Sequence, residues 1–126
     1  MGAENTVIKI PEVDSAYGLD LCDGDFNIYL RSLRLYVSNI PSALDKLSGV
    51  TEQTLKDYTV NVHGIKGMSE YIGALEAKET AKQLEDISKR GDFDGIKAQN
   101  DSFIKLIKNL VNNIKIWLDE YDAQCA

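Results

Sequence analysis

The chain of 126 residues holds one histidine, two cysteines and two prolines. One histidine and two distant cysteines, Cys22 and Cys125, supply no ligand pair at helical spacing, so no zinc site is expected. Nor do two such cysteines form a disulfide framework; reduced thiols and a cytoplasmic location are the expectation. Scarce proline leaves long stretches free to be helical. No Lys/Arg cluster offsets the net charge of −6, which argues against nucleic acid and anionic membranes as partners. No apolar run approaches the ~20 residues of a membrane span. The polar stretch Met1 to Thr6 lacks the apolar core of a signal peptide. A glycine-rich nucleotide loop is missing, so the chain is not expected to use ATP as a kinase of its own.

What remains is a helical protein with one core. Hydrophobic residues make up 44% and charged residues 27%, an ordinary mix for a single folded domain. Met1-Gly2-Ala3 is read as a cloning remnant, residues 1–12 as an extended lead-in, and residues 13–126 as the domain. Asp14 or Ser15 caps a short helix through Leu21. A turn at Cys22-Asp23-Gly24-Asp25 precedes a helix from about Asp25 to Leu47. Phe26, Leu30, Leu33, Val37, Ile40, Leu44 and Leu47 recur along it three or four apart. Pro41 interrupts that pattern and is expected to kink or split the helix. Ser48-Gly49-Val50-Thr51 stops the chain and restarts it, with Thr51 as N-cap. The next helix carries Leu55, Tyr58, Val62, Ile65 and Ile72 and ends at Gly73. A helix from Leu75 to Lys89 follows, with Ala77, Ala81, Leu84 and Ile87 on its apolar face. After Arg90-Gly91-Asp92 a last long helix runs through Phe93, Ile96, Phe103, Ile107, Leu110, Ile114, Trp117 and Tyr121, residues that read as core. Long helices with short connections predict an all-α, antiparallel four-helix bundle, up-down-up-down, with a short accessory N-terminal helix.

One helix departs from ordinary bundle design. At about 100° per residue, its apolar stripe centres on Val62, Ile65 and Ser69. His63 projects away from that stripe, Gly64 faces outward, and Gly67 lies nearly opposite it. Each mid-helix glycine costs roughly 1 kcal/mol relative to alanine, a cost suited to a place where another backbone must come close. A neutral imidazole has one unprotonated nitrogen and can accept and release a phosphoryl group. Lys66, one turn on, is within reach of phosphoryl oxygens. Alone it would be a solvated charge; its spacing from His63 raises it.

The segment His63-Gly64-Ile65-Lys66-Gly67-Met68-Ser69-Glu70-Tyr71-Ile72-Gly73-Ala74 resembles the signature of histidine phosphotransfer (HPt) domains: His, then Lys-Gly, then Ile-Gly-Ala. Ala81-Lys82-Gln83-Leu84-Glu85 resembles the family's Ala-x-x-Leu-Glu on the next helix, and Gly91-Asp92 its following turn. Gly18-Leu19, Gly24-Asp25, Tyr29-Leu30 and Leu33 are similar to the N-terminal part of HPt domains attached to bacterial hybrid sensor kinases. Met68 and Gly64 depart from the usual pattern, where a small polar and a larger residue are common. The resemblance implies that His63 is phosphorylated on a ring nitrogen and that Lys66 stabilises phosphoryl charge. It implies docking of response-regulator receiver domains around His63, with Val60, Gly64 and Gly67 as contact positions. It also implies a polar residue on the adjacent helix that hydrogen-bonds the histidine. Glu85 is the aligned candidate, with Gln83 and Lys82 as neighbours, although Glu85 taken by itself reads as a solvated or capping acid. No cofactor is expected on this chain; magnesium would belong to the receiver. A monomeric phosphoryl carrier, not an enzyme, is the expectation.

Three other readings compete. A non-catalytic helical adaptor could bind receivers through the same face. A chemotaxis-type kinase could use such a domain as its phosphoacceptor. The dimerisation domain of an ordinary sensor kinase is disfavoured, because an acidic residue usually follows its histidine and Gly64 stands there instead.

Overall fold

The computed structural model describes residues 8–125. Met1-Gly2-Ala3 and the start of the lead-in lie outside the described residues. Five helices follow in order: α1 (Ser15–Leu21), α2 (Phe26–Leu47), α3 (Leu55–Tyr71), α4 (Leu75–Lys89) and α5 (Phe93–Cys125). Caps explain where they begin. Asp14 accepts the Tyr17 N–H at 3.1 Å and Asp25 the Ile28 N–H at 3.1 Å. Asp92 accepts the Gly95 N–H at 2.9 Å ahead of α5. Thr51 caps a 3-10 turn, Glu52–Thr54, rather than α3 directly, and Thr54 returns a hydroxyl to the Thr51 N–H.

Helix α2 packs on α3 and α5, and α4 packs on α3 and α5, so the four long helices form a square with α2 and α4 on one diagonal. Along the α3–α4 seam, Thr59 meets Ser88 while Lys66 meets Glu85. Rising numbers on one helix face falling numbers on the other, so the two run antiparallel. No helix among the described residues is long and apolar enough to cross a membrane.

The core shows where periodicity misassigned a face. On α2 the fully buried residues are Tyr29, Leu33, Tyr36, Ile40 and Leu47, while Leu30 and Val37 are only half-buried. The tyrosines win because their hydroxyls find partners inside: Tyr29 donates to the Ile72 carbonyl at 2.7 Å and Tyr36 pairs with Ser69 at 2.8 Å. On α5, Leu118 is buried while Trp117 and Tyr121 stack half-buried at 5.3 Å. Asn100 is buried as well, linking the Tyr58 hydroxyl to the Leu47 carbonyl. Pro41 does not split α2, which runs unbroken through it on an exposed position where water can serve the carbonyl it frees. Ile8 and Ile10 are buried in the same core, so the packed unit begins upstream of the Val13 start expected from the sequence.

Helix α1 is stitched onto the turn that ends α3. The Asp14 N–H donates to the Gly73 carbonyl at 2.8 Å. Gly73 has φ +84, and a Cβ there would overlap the Asp14 carbonyl. Glycine is therefore required twice over at this position, for its backbone angle and for the close approach. The turn it makes ends α3 about two turns after the helix has carried His63 onto an open face.

Candidate functional site

Helix α3 buries Tyr58, Val62, Ile65 and Ser69, the stripe expected from its periodicity. His63 stands well off that stripe with 64% of its side chain exposed. Around it the surface is low. A Cβ added at Gly64 or Gly67 would meet nothing within 4 Å. Val60, one turn before, is 70% exposed. On the α2 side, Leu35 and Tyr71 are exposed beside Gly67 and Met68, an apolar strip that periodicity alone did not single out.

On the α4 side the ground is ionic. Ala77 and Ala81 give α4 a slim face. Glu85 points from that helix into the seam with α3, its side chain only 4% exposed. One of its oxygens, Oε2, lies 2.7 Å from His63 Nδ1, and the other, Oε1, accepts from Lys66 Nζ at 2.7 Å. Lys89, one turn further along α4, brings its Nζ within 3.3 Å of Oε2. The Lys66 hydrogen bond above all holds the Glu85 carboxyl down at about 2; burial pushes the other way, and His63 and Lys89 add to the lowering. Glu85 is thus ionised at any ordinary pH.

That ionisation decides the tautomer of the histidine. A carboxylate has no proton to give, so the short contact requires the hydrogen on Nδ1. In the neutral ring Nε2 then carries the free lone pair. Among the described residues Nε2 has no hydrogen-bond partner, and it belongs to a ring open to solvent beside two glycines. The arrangement is a nucleophilic nitrogen, oriented from behind by an anion and accessible from in front.

Two readings of single residues change. Glu85 is a buried partner of His63 and not a solvated or capping acid, because the α3–α4 register sets residue 85 opposite residue 63. Lys66 is not a loose point charge: it is 23% exposed and tied to Glu85. Gln83 and Lys82 are exposed and make no hydrogen bond to His63. Lys89 went unnoticed in the sequence, although its position four residues after Glu85 is the spacing of a helical ion pair.

A family model described as Hpt domain matches residues 26–117. Comparisons with curated proteins and with solved structures returned no match. Hpt domains carry phosphoryl groups in two-component signalling, have no kinase activity of their own and interact with the receiver domains of response regulators. With its helical bundle and a match that spans most of its length, including α3 and α4 entire, this chain belongs to the Hpt domain family.

Proposed function

We propose that His63 is the phosphoacceptor and that the domain relays a phosphoryl group from the aspartate of one receiver to the aspartate of another. The observation that carries this reading is the contact between Nδ1 and the ionised Glu85, which in the neutral ring puts the free lone pair on Nε2, on an open surface. In the forward step Nε2 attacks the phosphorus of an aspartyl phosphate. The N–P bond forms as the acyl P–O bond breaks, and the aspartate carboxylate leaves. Glu85 stabilises the positive charge that the ring acquires. Return transfer runs the same step backwards, so the domain turns over nothing by itself. Chemistry of this kind asks chiefly for positioning and charge neutralisation.

Gly64, Gly67 and Val60 are the positions over which a receiver would close, and magnesium would arrive with the receiver. A hybrid sensor kinase in the cytoplasm is the proposed setting, with the domain acting as a monomer. The test is incubation with phosphorylated receiver domains. Acid-labile, alkali-stable label is expected on the wild type and none on His63→Gln. Label that persists in His63→Gln, or no transfer from any receiver of the source organism, would sink the proposal. Receiver binding that survives in a protein never labelled would favour the silent adaptor.

A further inference from the structure

The ion cluster around Glu85 holds one more cation than the carboxylate needs. Lys66 and Lys89 reach it from opposite ends of the seam: Lys66 from the Gly67 side, Lys89 from the side where Thr59 meets Ser88. The two are held differently. Lys66 is 23% exposed and 2.7 Å from Oε1, with that oxygen to itself. Lys89 is 62% exposed and 3.3 Å from Oε2, an oxygen already engaged by His63 Nδ1. If Lys66 left, a buried carboxylate would lose its principal partner, a costly loss. Lys89 can leave while Lys66 and Nδ1–H still satisfy both oxygens. Its flexible four-carbon stem starts from the exposed edge of α4, next to the imidazole.

We propose that Lys89 is the phosphoryl-contacting lysine of this domain, moving from Glu85 to the phosphoryl group when Nε2 is phosphorylated, while Lys66 stays on Glu85 as a positioning residue. The inference rests on the phosphoacceptor reading of His63 and reassigns the cation that the sequence motif placed at Lys66. The driving force is the change in charge. A phosphoryl group presents roughly −1.5 to −2 at neutral pH, against −1 on a carboxylate that keeps two other partners. Both positions of the ammonium lie at the surface, so little desolvation opposes the exchange. The charged groups gathered at the His63–Glu85 pair are Lys66 from α3 and Lys89 from α4, with Glu85 itself behind the ring.

Phosphoramidate tests this without any receiver. Nε2 attacks its phosphorus, the P–N bond breaks and ammonia leaves. Phosphorus NMR of the labelled protein then follows the second ionisation of phospho-His63 against pH. A cation on the phosphoryl group favours its dianion, so Lys89→Ala is expected to raise the titration midpoint by about half a pH unit, the size of one unit charge a few ångströms away in water. Lys89→Arg should restore the wild-type midpoint. Lys105→Ala, which removes the same charge from an exposed site on α5, should leave it in place. A midpoint unmoved by Lys89→Ala, or moved as far by Lys105→Ala, overturns the assignment while leaving His63 as phosphoacceptor. Absence of label on the wild type overturns the phosphoacceptor reading, and the role of Lys89 with it.

Discussion

Replacing Glu85 with glutamine keeps the shape of the side chain and removes the charge on which the site depends. In the wild type Nδ1 must carry the proton. A glutamine amide can flip and either accept from Nδ1–H or donate to a bare Nδ1, so the ring is no longer pinned. A charge-assisted hydrogen bond contributes about 1.5–3 kcal/mol and a neutral one about 0.5–1.5. The difference between the two mid-values, about 1.25 kcal/mol, is about eightfold in tautomer ratio, and the rate of phosphorylation at Nε2 should fall by up to that factor. Because the chain has a single histidine, heteronuclear NMR of the isotope-labelled imidazole reads the tautomer directly. The wild type should show Nδ1 protonated and the variant a mixture. Stability should follow in a defined pH window. Folding lowers the Glu85 carboxyl from 4.5 to about 2, so the unfolded chain binds its proton more tightly. The resulting stabilisation, about 3 kcal/mol, is fully present above pH 4.5 and is lost as the pH falls through about 2. Subtracting the urea-unfolding free energy of Glu85→Gln from that of the wild type at each pH removes the contribution of other carboxylates. A difference that stays flat between pH 4.5 and 2, or a wild-type ring protonated on Nε2, would refute the reasoning.

Two further outcomes follow from the glycines. Gly67→Ala meets open space and should raise helix stability by about 1 kcal/mol in thermal or urea unfolding. Gly67→Leu should leave phosphoramidate labelling intact yet slow transfer from a phosphorylated receiver, because the added bulk would stand where a receiver is proposed to close; unchanged receiver transfer would remove Gly67 from the proposed docking face. Gly73→Ala forces a Cβ into the Asp14 carbonyl at a positive φ and should cost more than about 1 kcal/mol, with detachment of α1 visible as faster amide exchange at Asp14.

The sequence by itself determined the helices, because their signals are local. A cap, a stripe repeating every three or four residues and a glycine at the exit all lie within one turn of the boundary they set. The outward direction of His63 was equally legible, since phase around a helix needs only numbering. So was its setting beside Gly64 and Gly67. Periodicity could not choose between adjacent positions on α2: Tyr29 and Leu30 both fit the stripe, and the choice fell to a carbonyl at Ile72 that a different helix presents. The second half of the site was beyond local reach for the same reason. That Glu85 is buried, that it orients His63, that Lys66 is committed to it and that Lys89 is left more loosely held all depend on how α3 and α4 slide against one another. Small residues on the α4 side of that seam, and the Thr59–Ser88 hydrogen bond within it, set a register that no single helix contains. The motif pointed to His63; the packing of two helices decided which of its nitrogens is left without a partner.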